Sequence, residues 1–509
     1  MRLTRPTAAG ALLAAGLAAA HPSAAQIRVE TAPPLASQRC TNVMDPPMMR
    51  AAGATLTMSP AQYDIGGMPF ATNVYNNGFV APTLTMQAGE PLNLTVVNDM
   101  GATANQPADE VRWTNSHYHG LVVTPNPAGG DNVTHVRIDR GGRRSYNFPV
   151  PAGHTEGMFW YHPHPHGISS SQVAGGLSGA LLVGSVTSYF PQYANAPERV
   201  MLIRDMSFDL MKSVALLNIN GNPCSRLPVR PGGQQLWHIG NFGSNVFVNL
   251  KLEGARWTLL ALDGNPLLAP MQMDSLYLPP GTRAEVIVTG PAAGDSVRLF
   301  SAPMALKLGT PEVTLGWVIG DPAAPGSPPP PAGAAPAGGP TPQILAQVER
   351  LRTATDVNRH TFKFSFPGEV TAAVNDSIYE PNHRPVSVPW GQVQEWTIVN
   401  ASSALHTFHI HQTDFLVVSV NGRPADEGLL RDNVPVGVHR SADGQRWEGD
   451  TVVVRFVFDP IAAGPFVFHC HVLQHEDEGM MHNVCVYDPN DPAGPRKCDQ
   501  MFTGNGHGH

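Results

Sequence analysis

The chain has 509 residues, too many for one ordinary core and enough for about three domains of roughly 150 residues. Its 50 glycines and 49 prolines, set among short Val/Thr/Leu runs, favour many strands and tight turns over long helices. A net charge of -8, without a basic tract long enough to follow a phosphate backbone, argues against nucleic acid as a partner.

In chain order, residues 1–25 read as an export signal. Arg2 and Arg5 supply its positive region, residues 8–20 its apolar stretch, and Ser23-Ala24-Ala25 the small residues for cleavage before Gln26. The apolar stretch is short for a bilayer span, and no later segment is apolar enough to cross a membrane. The mature protein is therefore expected in the periplasm or secreted. No adjacent Arg-Arg pair supports a twin-arginine route.

A pattern then recurs three times: a glycine, alternating residues, and an asparagine nine positions on. The copies span 89–98 (GEPLNLTVVN), 232–241 (GGQQLWHIGN) and 391–400 (GQVQEWTIVN). Apolar residues fall five and seven places after each glycine: Leu94 and Val96, Trp237 and Ile239, Trp396 and Ile398. Period two predicts a half-buried strand in each copy. Copies about 150 residues apart predict three similar β domains. We place these over 26–190, 191–320 and 343–509. Residues 321–342, dense in Pro, Ala and Gly, form a linker, and 343–355 a short helix beside it.

Four histidine clusters stand out: His117-Tyr118-His119-Gly120, then His162-Pro163-His164, then His406-Thr407-Phe408-His409-Ile410-His411, and last His469-Cys470-His471 followed by His475 and Met480. Strand side chains alternate faces. His117 and His119 share a face, as do His162 and His164. His469 and His471 share one face and Cys470 takes the other, while His406 has the opposite parity to His409 and His411. The last two clusters can thus serve two metal sites at once. Cys470, His406, His475 and a weak axial Met480 make the His2Cys site of blue copper. The remaining eight histidines (117, 119, 162, 164, 409, 411, 469 and 471) suit a cluster of three copper ions. Of five cysteines, Cys470 is the expected unpaired one. Cys40, Cys224, Cys485 and Cys498 allow three pairings, which sequence leaves open.

In this order and spacing the clusters resemble the four copper-binding motifs of the multicopper oxidases, which include laccases, bilirubin oxidases and cuprous oxidases. The resemblance spans nearly the whole mature chain and includes the GPFVFHCH strand entering the last motif. It implies an all-β fold of three cupredoxin-like Greek-key β-barrels, with a copper-free second domain and four copper ions. By the same resemblance, His117 and His409 bind type 2 copper, and His119, His162, His164, His411, His469 and His471 bind the type 3 pair. Cys470, His406, His475 and Met480 form the type 1 site. Glu476, directly after His475 in HEDEGMM, and Asp131, downstream of the first motif, would deliver protons. Thr407 replaces a common proline, and Gln412-Thr413 replaces a frequent Gly-His, so the local loop shape departs from the family pattern. His166 exceeds the ligand count and is expected behind the ligands or at the surface.

The expected activity is one-electron oxidation of phenols or aromatic amines with reduction of O2 to water, by a monomer. An axial Met480 gives a lower driving force than a non-coordinating Leu or Phe would. Two rivals stand beside it. One is a Cu(I) or other metal-ion oxidase, favoured by Met44, Met48 and Met49 but disfavoured by the Met-free linker. The other is a non-catalytic copper-binding cupredoxin protein, disfavoured because no ligand is missing.

Overall fold

The computed structural model describes residues 28–30, 40–65, 68–209, 214–304, 311–331, 338–368, 371–425 and 428–503. The export signal read over 1–25 lies outside them. The three repeats form the strands Pro91–Asn98, Gln234–Asn241 and Val393–Asn400. Each repeat strand pairs parallel with one neighbour and antiparallel with the other. The predicted apolar pairs are buried in all three copies.

The two ends of the pattern have physical reasons. Gly89, Gly232 and Gly391 all stand at positive φ (86°, 66° and 76°), where a side chain is disfavoured. Each terminal asparagine is buried and latches the loop after its strand. Its amide donates to backbone oxygens: Asn98 to Ile138 at 2.9 Å, Asn241 to Val246 at 2.8 Å, and Asn400 to Ala404 at 2.8 Å. Its side-chain oxygen accepts from the backbone N–H two residues on, at Met100, Gly243 and Ser402.

Three pairs of sheets follow. The first holds a four-stranded sheet (54–65, 68–75, 91–98, 143–149) and a five-stranded sheet (48–50, 83–86, 117–119, 157–162, 179–183). Leu56, Leu94, Tyr146, Phe159 and Leu181 belong to the core between them. The second pair is seven- and six-stranded. The third is seven- and five-stranded, and its smaller sheet carries 406–410, 433–436, 464–470, 481–487 and 386–389.

Sheet pairing ties the chain's start to the middle unit. Arg28–Glu30 runs parallel to Val214–Leu216, and Thr41 and Asn42 pair with Ser225 and Arg226. Cys40 is disulfide-bonded to Cys224, and Cys485 to Cys498, which resolves the three open pairings and leaves Cys470 free and buried. The described part of the Pro/Ala/Gly-rich segment lies along the middle unit, with Ser327 and Gln234 exchanging backbone hydrogen bonds at 2.8 and 3.0 Å. The helix Pro342–Thr353 follows, capped by Thr341 accepting from the Ile344 N–H. Ile344, Val348 and Leu351 fall on one face and pack with Leu236, Leu416 and Val457 from the middle and third units.

Candidate metal centres

Cross-strand pairing brings the histidine clusters together. His117 sits opposite His162 in the first unit, and His409 opposite His469 in the third. The two strand pairs then face each other across the boundary between units. His117 stacks on His411 and His119 on His409, both with ring centroids 3.8 Å apart. Ligating atoms lie within 4.8 Å of one another in the groups His117/His409/His411, His117/His119/His162 and His164/His411/His469.

Which nitrogen each ring presents is set by what the other nitrogen meets. The Nδ1 atoms of His117, His162, His409 and His469 face the Asp131 carboxylate (3.0 Å) and the backbone oxygens of Pro163 (2.8 Å), Asp432 (2.7 Å) and Cys470 (3.0 Å). Their Nε2 atoms point inward. Those of His117, His162 and His409 are buried with no hydrogen-bond partner. His469 Nε2 lies 3.1 Å from His164 Nε2 and 3.3 Å from His411 Nε2. Burial, with repulsion from neighbouring imidazoles, holds His117, His119, His164, His409, His411 and His471 well below the usual histidine range. His162 is pushed down to about 3 and His469 to about 4, again chiefly by burial. Neutral imidazoles with unmet lone pairs converging on one space fit a cluster of copper ions. Without a cation, each unmet buried atom costs about 1–3 kcal/mol.

A second centre lies on the opposite face of the strand Gly464–Cys470, as the parity predicts. Cys470 Sγ is 3.6 Å from both His406 Nδ1 and His475 Nδ1. His406 Nε2 is held by the Ser402 hydroxyl at 2.8 Å. Met480 is buried in the same core cluster, and the Cys470 N–H donates to its carbonyl at 3.0 Å. His475, on the short helix Leu473–Asp477, is partly exposed. Burial pushes the Cys470 thiol up to about 12, so a cation is needed to favour the thiolate. One thiol and two neutral imidazoles fit a blue-copper site.

The two acids predicted from the sequence lie against the histidine cluster. Asp131 is fully buried between His117 and Gln412, whose amide donates to its carboxylate at 3.3 Å. Burial pushes it up to about 7, against the lowering effect of the Tyr118 N–H and Gln412. Glu476 is buried, 3.6 Å from His164 Nδ1, and accepts from the Ser169 hydroxyl at 3.3 Å. Burial, then the Asp477 charge, raises it well above the carboxylate range. The departure at Gln412 also has a structural account. Its φ is 64°, a conformation that favours glycine, and its side chain both donates to Asp131 and accepts from the Val123 N–H at 3.1 Å.

Thr407 pairs with Pro435 within a regular strand, so that departure leaves the strand intact. His166 sits beside Tyr379 with ring centroids 4.9 Å apart, partly exposed. Sequence reasoning missed Asp432 and Arg283. Asp432 Oδ1 lies 3.2 Å from His119 Nε2, and Arg283 clamps Asp432 with two contacts of 2.7 and 2.8 Å. Neither residue belongs to a histidine motif, and no periodic signal marks them.

Comparison with known proteins identifies the family and the fold. Three multicopper oxidase family models match residues 57–187, 160–300 and 343–490. The multicopper oxidase mco of Staphylococcus haemolyticus is 24% identical over 435 residues, covering 81% of this chain and 83% of that protein. A laccase-like multicopper oxidase from an Ochrobactrum species superposes with a TM-score of 0.69 at 20% identity, covering 87% of this chain and 100% of its own. A multicopper oxidase from Campylobacter jejuni, described as a metallo-oxidase, gives 0.64 at 22% identity, covering 89% and 98%. The fold is the three-domain, cupredoxin-like all-β architecture that the resemblance implies. The chain belongs to the multicopper oxidase family, copper-dependent oxidoreductases that use O2 as acceptor.

Proposed function

We propose that this chain is a laccase-type oxidase with four copper ions, taking single electrons from phenols or aromatic amines and reducing O2 to water. One observation carries the reading: Cys470 of one centre is the chain neighbour of His469 and His471 of the other. A path of a few covalent bonds thus joins an electron-accepting site to a site of eight imidazoles. When bound, copper supplies the one-electron redox steps and the binding of O2. His117 and His409 hold type 2 copper in this reading. His119, His162, His164, His411, His469 and His471 hold the type 3 pair, and Cys470, His406, His475 and Met480 the type 1 ion. The part-exposed His475 offers the donor an edge near that ion.

Asp131 and Glu476 keep protons beside the cluster. A carboxyl raised to about 7 exchanges protons near neutral pH. Two disulfides support an exported protein. No helix among the described residues is long and apolar enough to cross a membrane. We read the chain as a monomer divided near residues 190 and 321.

The test is copper loading of the mature protein, its visible spectrum, and O2 uptake with a phenol, with Cys470→Ser as control. A blue band lost in the variant, with phenol-driven uptake, supports the reading. No blue band after full loading overturns it. A second reading, oxidation of Cu(I), is favoured by Met44 and Met48, which are 71% and 59% exposed. A blue protein that turns over Cu(I) but no phenol would select it.

A further inference from the structure

The middle unit carries no member of the histidine clusters, yet one of its side chains is joined to them through a single carboxylate, Asp432. Arg283 begins the strand Arg283–Thr289 of the middle unit and is fully buried. Its Nη1 and Nη2 atoms donate to the two Asp432 oxygens at 2.7 and 2.8 Å. Nη1 also donates to the Gly281 carbonyl at 3.1 Å, and Nε to the Met158 carbonyl of the first unit at 3.1 Å. Asp432 belongs to the third unit and is itself fully buried. A planar fork with donors used on three sides leaves this carboxylate one orientation.

Asp432 in turn holds two cluster histidines. Its backbone oxygen faces His409 Nδ1 at 2.7 Å, and its Oδ1 faces His119 Nε2 at 3.2 Å. The Asn433 amide lies 3.2 Å from the same His119 nitrogen, and its own oxygen has no other partner. Turned over, that amide is a second acceptor for a His119 Nε2–H. His119 Nδ1 is buried and unpartnered. His119 is thus the reverse of His117, whose Nδ1 is tied and whose Nε2 is free.

The space is kept open for this contact. Gly120, at φ 87°, directly follows His119; a Cβ there would lie 2.5 Å from Asp432 Oδ2 and 2.6 Å from Arg283 Nη2. A Cβ on Gly281, at φ 86°, would lie 2.6 Å from Asn433 Nδ2 and 3.1 Å from the His471 ring.

We infer that Arg283 and Asp432 form a positioning pair that fixes His119 as the tautomer protonated on Nε2, so that Nδ1 is its metal-binding atom. The copper-free middle domain is thereby a working part of the cluster. The inference rests on the proposed copper assignment. A carboxylate behind a ligating histidine orients the ring and raises its basicity, and its loss typically costs about 10- to 100-fold in metal affinity.

Asp432→Asn and Arg283→Lys test this in the copper-loaded full-length protein. Copper per chain and the blue band are followed during challenge with EDTA. Both variants are expected to keep the blue band of the Cys470 centre while losing cluster copper at about 10- to 100-fold lower chelator concentration than the parent. Arg283→Lys, which keeps the charge without the fork, should fall between the parent and Asp432→Asn. A purely structural pair would weaken both centres alike, and that result overturns the inference. So does a variant that holds cluster copper as the parent does. If Asp432→Asn yields no folded protein, Arg283→Lys decides by the same two outcomes. A parent that takes up no cluster copper at all refutes the copper assignment instead.

Discussion

His162 and His238 are both buried histidines on strands, yet their environments drive them to opposite states. His162 is held down to about 3 by burial, because the charges near its ring are other imidazoles. Burial also opposes charge on His238, but contacts to Glu285 at 2.7 Å and Glu198 at 3.5 Å outweigh it and lift the ring to about 9. The first environment keeps a lone pair free for a metal. The second engages both ring nitrogens with carboxylates, buried Glu285 and exposed Glu198, and Glu285 also accepts from the Met158 N–H of the first unit at 3.3 Å. Burial therefore does not make a histidine a ligand. What counts is whether a carboxylate claims each nitrogen.

Substitution at the two regions should separate them. The largest effect is expected from Cys470→Ser, which removes the thiolate: the blue band disappears and phenol-driven O2 uptake falls to background. His238→Gln should leave the spectrum of the loaded protein unchanged. A spectral change in that variant would break the contrast.

Next in size is Glu476→Gln, which keeps the geometry and removes the exchangeable proton beside His164. The blue band should persist while turnover with saturating donor falls on the order of 10²-fold. Unchanged turnover would show that this acid is only a buried structural group.

His238→Gln strands Glu285 in the interior, at a cost of about 3–5 kcal/mol in denaturant unfolding. The pH dependence has opposite signs at the two regions. The raised pKa of His238 gives a contribution that is full below 6.5 and is lost as pH rises through about 9. The lowered values of His162, His469 and His475, about 3, 4 and 4, give a contribution present above 6.5 and lost as pH falls towards 4 and below. Copper-free protein should thus lose thermal stability at both ends, and His238→Gln should flatten only the alkaline side.

The smallest effect is expected at Gln412→Gly. Relief of the positive φ, worth roughly 1 kcal/mol, offsets the lost hydrogen bond to Asp131, so the melting temperature should move little. The pH profile of turnover should shift upward, because the Gln412 amide is one of the groups lowering Asp131. An unmoved profile would exclude Asp131 from the rate-limiting proton transfer.

Much of this protein was legible from local pattern alone. Strand parity placed Cys470 and His406 on one side and His409, His411, His469 and His471 on the other, because alternation is a property of the backbone and needs no distant partner. The repeat announced three related units for the same reason: a positive-φ glycine and an inward apolar pair act within one strand and the turn before it. The Cys40–Cys224 disulfide, the clamp of Arg283 on Asp432 and the contact of Asp432 with His119 are different in kind. They join residues 184, 149 and 313 positions apart. No periodicity spans such distances, and the residues alone fit other pairings equally well. Only the docking of the three units brought Asp432 behind His119 and Glu476 beside His164. Where no backbone oxygen of the next residue ties a ring, as at His117, His119 and His409, the free nitrogen was left to the tertiary structure.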